Sequence, residues 1–84
     1  MIAMLDTFKQ VRDIMSFEEL NGAEIDVLYK LYHYGSQEDG NLPSKAGMSG
    51  LISKGLAVKD YNFRHGHPNR LTIKGYAQGH ARYD

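Results

Sequence analysis

Histidine and serine are the residue types in this chain that could bind a metal or attack a substrate. His65 and His67 flank Gly66, a spacing that can place two imidazoles on one side of a loop as zinc ligands. A third ligand would come from His80, Asp60 or Asp84. The chain has no cysteine, and so short a spacing without thiolates is more typical of exposed histidines that carry a fractional charge near neutral pH. We therefore expect no metal site.

The serines give no sign of nucleophilic catalysis. Ser44, Ser49 and Ser53 do not occur in the strained elbow that activates a serine, and no glycine-rich phosphate loop follows a predicted strand. We expect no catalytic residues and no cofactor, so the sequence predicts that the protein is not an enzyme.

The composition is that of one small globular domain. The chain has 84 residues, of which 42% are apolar and 24% charged, so a second domain has no room. No apolar run approaches the roughly 18 residues of a membrane span, and the N-terminus lacks a signal peptide. The absence of cysteine fits a reducing compartment, and the expected localisation is cytoplasmic, with no membrane partner.

Acidic and basic residues are unevenly distributed along the chain. Residues 1–44 contain three Lys or Arg against eight Asp or Glu, a net charge of −5, and residues 45–84 contain seven against two, a net charge of +5. A basic region of this kind attracts polyanions. The alternative is that these charges only solvate their helices.

Two helices are predicted in the first half. Residues 1–15 carry an amphipathic apolar stripe, formed by Met4, Leu5, Phe8, Val11 and Met15. A second helix runs from the N-cap Asn21, with Glu24 at the third helical position, to about Tyr34, and Gly35 is predicted to stop it in a left-handed conformation. Its predicted buried stripe is Ile25, Leu28, Leu31 and Tyr32.

The second half predicts a helix, a hairpin and a last helix. The helix begins at Pro43 and runs to Lys54, with Gly55 as its left-handed stop. Two strands, 57–62 and 70–73, follow with a turn-rich loop between them. The last helix spans 73–83 after Thr72, and the residues predicted to face inward are Tyr76, Ala77, His80 and Tyr83.

The two faces of the central helix differ in the size of their side chains. Met48, Leu51 and Ile52 form the predicted buried stripe. The opposite face is almost bare, with Ala46, Ser49, Gly50 and Ser53. Such a face permits close approach of a DNA strand or a partner helix, but it lacks the Arg, Asn and Gln side chains that read bases in the major groove.

Several segments resemble winged helix-turn-helix proteins of the MarR-like kind. L-I-S-K-G-L-A-V-K-D, a short basic loop and L-T-I-K-G are similar to the end of the recognition helix, the wing and the start of the next helix. L-N-G-A-E-I-D-V-L-Y-K-L, residues 20–31, is similar to the helix that opens the helix-turn-helix. Only residues 35–42 lie where the family has a second full helix, so that helix is predicted to be a single turn or missing.

The resemblance implies a mainly α fold with a two-stranded β-wing, in the order α-α-(short turn)-α-β-β-α. It divides the single domain 1–84 into an N-terminal helix (1–18), a winged-helix core (20–73) and a C-terminal helix (74–84). The implied function is double-stranded DNA binding by a small transcriptional regulator or accessory factor, largely through phosphate contacts. The expected DNA-binding residues are Ser44, Lys45, Ser49, Ser53, Lys54, Arg64, His65, His67 and Arg70.

Two further partners follow from the same reading. The alternative function is a winged-helix module that binds an acidic protein through the bare helix face and the basic wing, without DNA binding. If the chain forms a homodimer, we expect the first and last helices to form the contact, because the N-terminal apolar stripe belongs to a chain too short to cover much surface alone.

Overall fold

Three helices and a two-stranded antiparallel sheet form the part of the chain that the computed structural model describes, residues 17–62 and 66–84. In chain order the elements are helix α1 (Gly22–Tyr34), a 3₁₀ turn (Asp39–Asn41), helix α2 (Lys45–Ser53), strands β1 (Ala57–Lys59) and β2 (Asn69–Leu71), and helix α3 (Ile73–Tyr83). The mainly helical class with one strand pair is confirmed, as is the single short turn between α1 and α2. The predicted helix over residues 1–15 and its pairing with the last helix lie outside the described residues.

Helix α1 begins at the predicted capping box. The Asn21 side chain accepts a hydrogen bond from the Glu24 amide, and the Glu24 carboxylate accepts one from the Asn21 amide, both at 2.9 Å. At the other end, the Gly35 amide donates to the Leu31 carbonyl. Gly35 has φ +80° and ψ −167°, so the helix ends at the predicted glycine and needs its positive φ, but not in the left-handed helical conformation that was predicted.

Helix α2 begins two residues later than predicted. Ser44 is the N-cap and accepts a hydrogen bond from the Gly47 amide at 2.9 Å, so Pro43 lies before the helix and not in its first turn. The predicted end is confirmed. Gly55 has φ +74°. Its amide donates to the Ile52 carbonyl and the Leu56 amide donates to the Leu51 carbonyl, which are the two hydrogen bonds of a Schellman motif.

The hairpin is shorter than predicted and lies one residue earlier on its second strand. Lys59 pairs with Asn69 at the last rung of the ladder. Asn69 is completely buried, and its side-chain amide is satisfied there by hydrogen bonds that it donates to the Gln37 carbonyl and to the Asp39 carboxylate. Gln37 also forms an antiparallel bridge with Asn69. Tyr61, which belongs to the predicted first strand over 57–62, lies beyond the observed strand and is 66% exposed.

The core between these elements is aliphatic. Its buried members are Val27, Leu28, Leu31, Met48, Leu51, Leu56, Ala57 and Leu71. Several predicted orientations are wrong. Ile25 and Tyr32 are only partly buried whereas Glu24 and Val27 are buried, and Ile52 is 38% exposed.

Helix α3 also faces the core differently from the prediction. Its buried residues are Gly75, Gln78 and Gly79, while Tyr76 and His80 are exposed and Tyr83 packs at the edge of the core. A Cβ at Gly75 would collide with the Leu56 carbonyl, and one at Gly79 with the Tyr32 ring. Positions 75 and 79 of the inward face therefore require glycine, because α3 lies close to its neighbours there.

The same constraint explains two glycines of α2. A Cβ at Gly47 would collide with the Ala23 carbonyl, and a Cβ at Gly50 with the Glu24 carboxylate. Gly50 therefore belongs to the face that packs on α1, and its predicted place on the bare outer face is wrong. The helix interior accepts two poor helix formers because α1 and α2 approach closely there.

Replacing Gly47 by Ala is expected to lower the free energy of unfolding by about 1–3 kcal/mol, because the backbone carbonyl at Ala23 cannot move away as a flexible side chain could. The gain in helix propensity, about 1 kcal/mol, works in the opposite direction. The matched control is Ser49→Ala on the exposed face of the same helix, expected to change stability by no more than about 0.5 kcal/mol. Urea unfolding would measure both. A Gly47→Ala protein that is more stable than the wild type would contradict the close packing of α1 on α2.

Candidate nucleic-acid interface

Helix α2 presents a face of small side chains to solvent. Lys45, Ala46, Ser49 and Ser53 are exposed, while Gly47, Met48 and Leu51 are buried against the rest of the fold. Ile52 lies beside this face and contributes the one large apolar side chain of α2 that is exposed. The predicted positions Ser49 and Ser53 thus lie on one open surface, where another backbone can approach closely.

The N-terminus of α2 is suited to an anion. All residues of its first turn are described, and none of them is acidic. Ser44 accepts a hydrogen bond from the Gly47 amide through its hydroxyl oxygen, so the hydroxyl hydrogen can still be donated to a ligand. Lys45 is exposed next to it. The positive end of the helix dipole and the Lys45 ammonium group both favour a phosphate at this end.

Lys54, at the other end of α2, has a structural contact. Its ammonium group lies 2.7 Å from the Glu24 carboxylate and donates to the Glu19 carbonyl at the same distance. The Glu24 side chain is 3% exposed. Hydrogen bonds from Lys54 and from the Asn21 amide hold the pKa of Glu24 below its ordinary value of 4.5, although burial acts in the opposite direction. Lys54 was predicted to contact phosphate because the sequence gives no sign that Glu24 is buried.

The basic residues of the hairpin also have acidic partners. Lys59 lies 2.6 Å from Asp39 and 2.9 Å from the Asn69 side-chain oxygen. Arg70 lies 3.4 Å from Asp60. The hydrogen bonds from Lys59 and then Asn69 hold the pKa of Asp39 below its ordinary value. His67 is partly buried, and Arg64 and His65 lie outside the described residues.

The uneven charge of the sequence is matched within the fold. Glu24 with Lys54, Asp39 with Lys59, and Glu18 with Lys74 each join an acid of residues 1–44 to a base of residues 45–84. The two halves therefore neutralise each other along their contact. The field that would attract a polyanion is weaker than the separate charges of −5 and +5 suggest.

The described residues contain no group of three or more His, Cys, Asp or Glu that could hold a metal ion. His80 lies 3.0 Å from Asp84, and this pair is not joined by a third such residue in the part of the chain that the structure describes. Among the described residues there is also no helix long and apolar enough to cross a membrane.

Comparisons of the chain with protein-family models, with curated proteins and with solved structures find no match.

Replacing Glu24 by Gln is expected to destabilise the protein by about 1–3 kcal/mol at pH 7, because a charged hydrogen bond to Lys54 is lost in the interior. Since the pKa of Glu24 is lowered on folding, its contribution is complete above its ordinary value of 4.5 and is lost as the pH falls through the lower folded pKa. The difference between wild type and variant should therefore shrink from pH 7 to pH 3.

The control for this prediction is Glu38→Gln, which makes the same substitution at an exposed position outside the helices. Its effect should be small at both pH values. Urea unfolding at pH 7 and pH 3 measures all three proteins. A Glu24→Gln penalty that is the same at both pH values would show that the Glu24 charge does not stabilise the fold.

Proposed function

We propose that this chain is a winged-helix domain that binds double-stranded DNA, mainly through its phosphate backbone. The order of the described elements supports the fold: α1, a single turn, α2, an antiparallel hairpin and α3 follow one another as the MarR-like resemblance implies. In this reading α2 is the helix that enters the groove and the hairpin is the wing.

The observation that supports DNA binding best is the combination found on α2. Its first turn, fully described, lacks acidic residues and exposes Lys45. Its solvent face has only small side chains at Ala46, Ser49 and Ser53. A phosphate can bind at the helix N-terminus, and the bare face lets the DNA backbone come close without steric conflict.

The wing supplies further contacts beside the helix. His67 and Arg70 lie in or next to β2, and Arg64 and His65 belong to the loop between the strands, outside the described residues. In the proposed complex these side chains reach the DNA backbone or the minor groove. Lys54 contributes to holding α2 on α1 through Glu24 and is not expected to leave that pair.

Base recognition should be weak. The solvent face of α2 has no Arg, Asn or Gln, the side chains that pair bidentately with base edges. Asp39 and Asp60 also lie beside the basic residues of the hairpin and compete with phosphate for them. We therefore infer an accessory or architectural role with little sequence preference.

A second candidate function is protein binding without DNA. The internal pairing of charges favours it, because the positive field around the hairpin is reduced. The exposed Ile52 beside the small residues of α2 also favours it, since an apolar residue within a smooth surface suits a partner helix more than a phosphate backbone. In this alternative the hairpin contacts acidic side chains of the partner.

Lys45→Ala is expected to weaken binding to random duplex DNA and to reduce its salt dependence. Each neutralised phosphate contributes about −0.9 to the slope of log affinity against log salt, so two to four contacts give a slope of roughly −2 to −4, and the variant should lose about 1. The measurement is fluorescence anisotropy at several salt concentrations.

The matched control is Lys74→Ala, which removes the same charge at the start of α3, where the Lys74 side chain pairs with Glu18. Its slope should equal that of the wild type. Ser49→Ala should change discrimination between sequences only slightly. If duplex DNA at low salt shifts no amide resonance of α2 or the hairpin in folded, isotope-labelled protein, the DNA proposal fails and protein binding becomes the better reading.

A further inference from the structure

Most of the tyrosines of this chain gather in one place. Of six in the sequence, all except Tyr61 lie on α1 or α3, at positions 29, 32, 34, 76 and 83. Tyr83 is in the middle: its ring centroid is 5.4 Å from that of Tyr29, 5.7 Å from that of Tyr32 and 4.9 Å from that of His33. We call the surface formed by these tyrosines and His33 the tyrosine face.

This clustering is unusual because the described core contains no aromatic ring. The buried hydrophobic residues are all aliphatic, whereas Tyr29 is 47%, Tyr34 64% and Tyr76 45% exposed. Large aromatic side chains normally supply much of the buried area of a domain. Exposed together they are typical of a binding surface, and rings already held by their neighbours lose little conformational freedom when a partner packs on them.

The charges around the tyrosine face are balanced. Lys30 lies over the Tyr34 ring, 4.9 Å from its centroid, and Arg82 over the Tyr83 ring at 6.0 Å. The Asp84 carboxylate accepts one hydrogen bond from the Tyr32 hydroxyl, and its oxygen lies 3.0 Å from His80 Nδ1. Asp26, one helical turn before Lys30, is exposed. Two cations, Lys30 and Arg82, and two carboxylates, Asp26 and Asp84, therefore share the parts of α1 and α3 that carry the rings.

This balance selects among partners. A strongly acidic or basic partner would find no net charge to complement. Single-stranded nucleic acid stacks its bases on open ring faces, but most neighbouring rings here meet at angles between 52° and 88° and so present edges as well as faces, which suits other aromatic rings better than a row of bases. A surface with equal numbers of both charges can complement a copy of itself when the two are related by a two-fold axis.

We propose that the tyrosine face is the contact through which two copies of this chain associate. Each copy would pack the exposed rings of α1 and α3 against those of the other, with cations of one facing carboxylates of its partner. None of the tyrosine-face residues belongs to α2 or the hairpin, so the dimer leaves both available, and the proposal stands independently of DNA binding. It shares α3 with the dimer predicted through the first and last helices, but it uses the tyrosines of α1 in place of the N-terminal apolar stripe.

The first test compares two tyrosines of nearly equal exposure. Tyr34 is 64% and Tyr61 66% exposed, but Tyr34 lies on the tyrosine face and Tyr61 beside the hairpin. Sedimentation equilibrium between about 10 µM and 1 mM covers the range expected for a small interface. Tyr34→Ala should weaken dimerisation about tenfold or more, and Tyr61→Ala should leave it unchanged. A wild-type protein that stays monomeric at 1 mM, or equal effects of the two variants, would overturn the proposal.

The second test uses the charges, and its variants change only exposed or half-exposed positions of α1. Lys30→Glu gives the face a net negative charge and Asp26→Lys a net positive one. Each variant alone should dimerise more weakly than the wild type through like-charge repulsion, and an equimolar mixture should recover association as a mixed dimer. Circular dichroism checks that both variants are folded. A mixture no more associated than either variant alone would show that the two faces do not meet.

Discussion

The Glu24 carboxylate is the group on which the arrangement of α1 and α2 depends. It accepts hydrogen bonds from the Asn21 amide, which starts α1, and from the Lys54 ammonium group, which follows the end of α2. Lys54 reaches in addition the Glu19 carbonyl, so the segment entering α1 is held as well. A buried carboxylate without partners would cost several kcal/mol. One backbone donor, the Asn21 amide, and one charged donor, the Lys54 ammonium group, offset that cost. Gly50 leaves room for the carboxylate because it has no side chain.

Close approach governs the position of α3 in the same way. The Gln78 side chain forms two hydrogen bonds with the backbone of Glu18, at 3.0 and 2.7 Å, and so holds the chain before α1 against α3. Gly75 and Gly79 let α3 lie against the Leu56 carbonyl and the Tyr32 ring. Because the inner face of α3 is lined by glycine and glutamine, its tyrosines are left at the edge or outside. The tyrosine face is thus a consequence of how tightly α3 packs.

Sequence reasoning predicted the features that depend on local chemistry. The Asn21 capping box, the Gly55 stop, the hairpin and the bounds of α3 each follow from a few neighbouring residues. It failed where distant segments decide the outcome. Hydrophobicity placed Tyr76 and His80 inward, but the close contact made by Gly75 and Gly79 turned the helix the other way. Lys54 was wrongly predicted to contact phosphate for a related reason, since no local pattern shows that Glu24 is buried and pairs with Lys54.

The ion pairs of this protein differ in how readily they could exchange partners. Glu24 and Lys54 are held together in the interior, where separating them would leave a buried charge. Lys59 and Asp39 are 36% and 46% exposed, and such pairs contribute little to stability because water and salt screen them. A phosphate or a partner carboxylate could therefore replace Asp39 at Lys59 at small cost. If the hairpin binds DNA as proposed, Asp39 would therefore lower its affinity for phosphate without abolishing it.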